Sequence, residues 1–173
     1  VSYSVFQAAL WGASLAALLF CARTDVKDRI IRNECVAVIA ACGLALAATA
    51  WPRQIWSGAA VAFAALVCLG FLHRLGLLGG GDAKLISAVT LLTPPAAAGQ
   101  LLVAIACAGG ALSCVYLAAR RALRRTAAAR NAPPSSGQSL FARERARIIA
   151  GQPMPYAVAV AGGVIFHLAA RFS

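Results

Sequence analysis

The chain has 173 residues, 61% of them hydrophobic and 12% charged, and its mean hydropathy is +0.79. Average soluble domains carry roughly 25% charged residues, so an ordinary water-soluble globular domain is excluded, and so is disorder, which requires low hydrophobicity. The net charge of +11, from 16 basic and 5 acidic residues, would suggest nucleic acid in a soluble protein; here membrane topology accounts for it, and no nucleic-acid partner is expected.

Runs free of Asp, Glu, Lys and Arg cover 1–22, 35–52, 54–73, 85–119 and 148–170. A spanning helix needs about 20 apolar residues. The run 85–119 would be roughly 52 Å long as one helix, too long for a hydrocarbon core of about 30 Å. Thr93-Pro94-Pro95 divides it, because proline removes a donor and clashes with the preceding turn. The expected fold is therefore an all-α integral membrane protein with six spans, at about 2–22, 35–51, 55–72, 83–94, 97–119 and 155–170. Residues 1–173 read as a single polytopic domain. The fourth span is short, so its start is expected below the membrane surface in a wet recess.

The first run has no basic stretch ahead of it and reads as a retained span. Arg23, Lys27, Arg29 and Arg32 follow it, which places the N-terminus outside and residue 23 in the cytoplasm. Alternation then makes 23–34, 73–84 and 120–154 cytoplasmic and puts the C-terminus outside with the N-terminus. These three loops hold 14 of the 16 basic residues; Arg53 and Arg171 are the others. Trp51 and Trp56 flank an external turn, as interfacial aromatics do. In the longest loop, Asn131 to Gly137 has a linker composition, and 139–150 reads as an interfacial helix with Arg143, Arg145 and Arg147 towards water or lipid phosphate. Gly109-Gly110 and Gly162-Gly163 suit close helix packing.

The six cysteines form no C-x-x-C pair and lie in apolar stretches, where cysteine acts as a small hydrophobe. With two histidines and no H-E-x-x-H, neither a metal site nor a cofactor is expected. Ser14 with His167 is the one serine-protease-like combination, and Ser14 is better explained by a hydrogen bond within its own helix.

The five acids, Asp25, Asp28, Glu34, Asp82 and Glu144, all fall on the cytoplasmic side of this topology. Asp25 lies just past the first span, and Asp82 follows Gly79-Gly80-Gly81 and opens the fourth. Carboxylates at membrane boundaries are expensive when buried and point to function. Three glycines permit close backbone approach, either to another helix end or to an extended peptide. Lys84 stands where it can neutralise Asp82. Two carboxylates sharing one water can perform aspartic-protease chemistry without a metal or a covalent intermediate.

The segment Asp25-Val26-Lys27-Asp28-Arg29-Ile30-Ile31-Arg32-Asn33 resembles the first aspartate motif of prepilin peptidases, in which Ile-Pro-Asn follows the Asp. Gly79-Gly80-Gly81-Asp82-Ala83-Lys84-Leu85 resembles their Gly-x-Gly-Asp-x-Lys-Leu motif, and Met154 to Ala159 is similar to their proline-bearing approach to the last span. The short architecture is similar to the dedicated peptidases of tight-adherence (Flp-type) pilus systems; archaeal preflagellin peptidases share the two-Asp plan. The resemblance implies a six-span GxGD-type aspartic protease of the bacterial inner membrane, active towards the cytoplasm, with a prepilin as substrate and lipids as its surroundings. It implies Asp25 and Asp82 as the catalytic pair, Gly79, Gly80, Gly81 and Lys84 as substrate-positioning residues, and Asp28 and Asn33 as accessory ones. Arg32 stands where the family has proline. The cytoplasmic insertion with paired C-x-x-C, found in bifunctional members that also methylate the new N-terminus, is missing, so methyltransferase activity is not expected. The rival from another class is a noncatalytic scaffold or transporter subunit using the same acids as ion pairs or a proton path.

Overall fold

The computed structural model describes residues 4–128, 147–148, 150 and 154–172. Among the described residues the regular structure is helical: α1 (Val5–Asp28), α2 (Asn33–Ala50), α3 (Ile55–Arg74), α4 (Gly80–Thr90), α5 (Pro95–Ala128) and α6 (Tyr156–Phe172), with a 3₁₀ turn at Pro52–Gln54 between α2 and α3. Four segments are long and apolar enough to cross a membrane: α1, α2, α3 with its preceding turn, and α5. α4, with 11 residues, and α6, with 17, are shorter. The expected interfacial helix at 139–150 lies outside the described residues except for 147, 148 and 150, which are helical.

Two compact units divide the chain. The first comprises Val1–Ala108 with Pro155–Ser173; the second is Gly109–Met154. In the second, Ser113 Oγ donates to the Gly109 carbonyl at 2.8 Å and to the Met154 sulfur at 3.4 Å.

In the first unit, α1 begins with a reciprocal cap. Ser4 Oγ accepts from the Gln7 N–H, and Gln7 Oε1 accepts from the Ser4 N–H, both at 3.2 Å. The helix runs past its apolar stretch and stops where Arg29 turns left-handed, at φ 57°, and donates its N–H to the Asp25 carbonyl at 3.0 Å. Asp25 therefore sits on a helical turn. The helix thus continues past the apolar span expected at 2–22, because Arg23 and Lys27 end the hydrophobic run without ending the hydrogen-bond ladder.

α1 packs against α2 and α6, α2 against α4, and α4 against α3 and α6. α4 is the centre. Leu85 to Thr90 are buried without a break, while the longer α3 buries only Gly58 and Ala62. Leu18, Ile39, Leu46, Leu85, Val89, Leu101, Ile105, Val160 and Val164 form one apolar core. The hydroxyls inside it are satisfied locally: Ser87 donates to the Ala83 carbonyl and Thr90 to the Ser87 carbonyl, each at 2.7 Å. Pro95 begins α5, as the proline break at 93–95 requires.

Two glycines let backbones touch. A Cβ on Gly43 would stand 2.6 Å from Leu91 Cβ, and one on Gly163 would stand 2.6 Å from Ile105 Cα. The other expected small-residue contacts are looser: at Gly162 the nearest atom is Ala108 Cβ, 4.0 Å away, and at Gly110 there is open space.

Candidate active site

Asp25 belongs to the last turns of α1, and its side chain points into the bundle; the residue is 7% exposed. Its Oδ2 accepts the backbone N–H of Ala157 at 2.9 Å. That N–H belongs to the first turn of α6, where amides lack partners inside their own helix. Residues 132 positions apart are thus joined by a buried hydrogen bond.

Asp82 is the third residue of α4, after the N-cap Gly79, and precedes the span expected to open at 83. An acid at this position reaches back to the cap, and the Gly79 backbone donates to it. Asp82 is partly buried and lies within reach of the Asp25 charge. Burial pushes its carboxyl up to about 6, Asp25 acts in the same direction, and the Gly79 bond opposes both. The two acids that the sequence singles out are therefore electrostatic neighbours, brought together from α1 and α4.

The glycines have separate reasons to be small. A Cβ on Gly81 would stand 3.1 Å from Ile31 Cβ, so α4 starts hard against the loop that follows α1. A Cβ on Gly80 would stand 3.1 Å from His73 Nε2. A Cβ on Gly79 would meet the Asp82 carboxylate, 2.5 Å from Oδ2. The glycine run thus lets the start of α4 approach its neighbours closely.

Lys84 reaches the first motif: its Nζ donates to Asn33 Oδ1 at 3.4 Å. This contact ties the two motifs together across 51 residues. Asp28 ends α1 and is exposed, in contrast to the buried Asp25. Ser14 Oγ donates to the Leu10 carbonyl at 2.8 Å, the intrahelical bond expected of it. Among the described residues, no group of three or more His, Cys, Asp or Glu is placed to hold a metal.

Three participants are not singled out as site residues in the sequence reading, although Tyr156 and Ala157 fall within its proline-bearing segment Met154 to Ala159. His73 Nδ1 pairs with the Leu78 carbonyl at 2.9 Å and closes the turn between α3 and α4. Ala157 contributes only its backbone, which no side-chain pattern announces. Tyr156, beside it, is partly buried and lies within electrostatic reach of Asp82. The proline before Tyr156 is the one sequence signal that a helix begins here.

Among curated proteins and solved structures, none matches the chain. A family model described as the type IV leader peptidase family matches residues 12–115, which include both aspartates and the whole glycine run. With more than half of its length matched, and with a bundle of apolar helices as its frame, this chain belongs to the type IV leader peptidase family.

Proposed function

We propose that the protein is a membrane aspartic endopeptidase that removes the short basic leader from type IV, Flp-type prepilins at the cytoplasmic face of the inner membrane. The observation that carries this reading is that Asp82, at the start of α4, lies within electrostatic reach of Asp25, near the end of α1, in a member of a leader peptidase family. Asp25 and Asp82 act as the catalytic pair. Gly79, Gly80, Gly81 and Lys84 position the substrate segment, and Asn33 holds Lys84.

One carboxylate, ionised, takes a proton from water as the water oxygen attacks the scissile carbonyl carbon. The other, protonated, gives its proton to the carbonyl oxygen, and a tetrahedral diol forms. Collapse of the diol delivers a proton to the amide nitrogen and breaks the C–N bond. The leader departs with a new carboxyl group, and the mature pilin keeps a free amine. The precursor's apolar helix packs against the spans while its basic leader stays in water. The loop between α3 and α4 holds the cleavage segment extended.

Co-expression with a Flp-type precursor tests the reading by the precursor's size and new N-terminus. Wild-type protein shortens the precursor on the cytoplasmic side of its hydrophobic segment. Asp25→Asn and Asp82→Asn still insert in the membrane but leave the precursor whole. Normal processing by either variant refutes the assignment.

A further inference from the structure

We infer that His73, on the last turn of α3, is a positioning residue for Asp82: its imidazole N–H fixes the Leu78–Gly79 peptide group, whose own N–H is thereby aimed at the Asp82 carboxylate. This deepens the proposed function and rests on it for what Asp82 does, though not for the geometry.

The turn between α3 and α4 leaves one peptide unclaimed by either helix. α3 closes with the Gly76 N–H on the His73 carbonyl at 2.9 Å and the Leu77 N–H on the Leu72 carbonyl at 3.0 Å, and Gly76 is left-handed at φ 73°. Such paired bonds around a left-handed glycine complete a helix end. α4 opens with the Ala83 N–H on the Gly79 carbonyl at 3.1 Å. The Leu78–Gly79 peptide lies between these two sets of bonds and belongs to neither. A planar peptide group is free to turn about the single bonds on either side of it until something outside the ladders holds it.

His73 holds it. A carbonyl oxygen only accepts, so the 2.9 Å contact with Leu78 is an N–H donated from Nδ1. The residue is exposed, but the far edge of its ring is braced on Gly80, with Nε2 3.1 Å and Cε1 3.2 Å from where a Cβ would stand. The other end of the same peptide faces Asp82. Oδ2 lies 2.5 Å from the Cβ position of Gly79, and the Gly79 backbone donates to the carboxylate. In a trans peptide the C=O and the N–H point in opposite directions. His73 and Asp82 therefore grip one planar group from its two sides, and a donor on the C=O strengthens the N–H as a donor. If the peptide turns over, both bonds are lost together. His73 touches no reacting atom and acts through this peptide.

The test reads the peptide itself. Leucine labelled with ¹³C at the carbonyl and glycine labelled with ¹⁵N select three peptide groups, Leu69–Gly70, Leu75–Gly76 and Leu78–Gly79, in an NMR spectrum that correlates each glycine N–H with the preceding carbonyl. The Leu78–Gly79 signal is the one whose amide proton moves upfield in Asp82→Ala. In His73→Leu the same signal moves upfield at both ends, in the Leu78 carbonyl carbon and in the Gly79 amide proton. His73→Asn puts an amide N–H where Nδ1 stands and keeps the signal near its wild-type position, whereas His73→Gln, a methylene longer, does not. Processing of the precursor follows the same order. His73→Leu and His73→Gln lower kcat about tenfold at unchanged KM, the worth of one hydrogen bond, and His73→Asn restores it. The inference is overturned if His73→Leu leaves the Gly79 amide proton in place, or if the Asn and Gln variants behave alike. A precursor that the wild-type protein leaves whole condemns the peptidase reading, and the NMR signals then still decide whether His73 orients the peptide.

Discussion

α3 and α4 are neighbours built on opposite plans. α3 has 20 residues and buries two of them, while Trp56, Phe63 and Phe71 are exposed. α4 has 11 residues and buries seven, among them Ser87 and Thr90. α3 meets the length and hydropathy needed to cross a bilayer, and α4 does not. A helix that faces lipid must be long and apolar all along. A helix enclosed by other helices can be short, can carry hydroxyls bonded to its own backbone, and can start with an acid. Of these two neighbours, the less membrane-like one bears Asp82 at its start, and the more membrane-like one exposes its aromatic side chains.

That contrast is open to attack, first at Asp82. Asp82→Glu keeps the charge but moves the carboxylate by a methylene; misplacement on this scale costs about 100-fold, and the precursor-processing rate should fall by that order. Phe63→Leu, on the exposed side of α3, leaves the rate unchanged. Comparable losses from both would dissolve the distinction.

Glycines give the next test. Gly163→Ala presses on the Ile105 backbone, where a Cβ would stand 2.6 Å from Cα, and overpacking of this kind costs about 1–3 kcal/mol. In α3 nothing lies within 4 Å of a Cβ on Gly70, so Gly70→Ala leaves thermal stability in detergent intact. Gly81→Ala pushes α4 from Ile31 and lowers processing more than stability, since the displaced group is the start of the helix that bears Asp82.

Much of this was legible in the sequence, for identifiable reasons. Uncharged runs and the Thr93-Pro94-Pro95 break placed the helices, because proline and charge act locally. Asp25, Asp82 and the glycines stood out because each violates what a lipid-facing segment requires. The Lys84–Asn33 contact joins two residues named separately. Ala157 was hidden, since every residue but proline carries an N–H and only the tertiary fold decides which one meets a carboxylate. The helical continuation of α1 through Asp25 was hidden as well, because a charged turn ends a hydrophobic run and need not end a helix.

Smaller effects follow. Lys84→Ala or Asn33→Ala loses one side-chain hydrogen bond, worth about 1 kcal/mol, and slows processing several-fold at most. Asp28→Asn, at an exposed position, retains substantial activity in the same assay. The folded protein holds the Asp82 proton up to about pH 6, against 3.8 for the ordinary carboxyl. Between these values the folded state binds more protons than the unfolded one, so stability declines as pH rises through the window, and above it the penalty is complete. Melting curves from pH 4 to 7 should show this slope, and Asp82→Asn should flatten it.

The most direct measurement compares residual cleavage rates of Asp25→Asn, Asp82→Asn and the double variant in liposomes with a prepilin-type precursor. Groups that serve one water act as a unit, and their losses do not add. Each single variant is expected to be as inactive as the double, with a loss on the order of 10²- to 10⁴-fold from wild type. Near-normal cleavage by either single variant, or a double variant far slower than both, would show that the two carboxylates do not work on a common water.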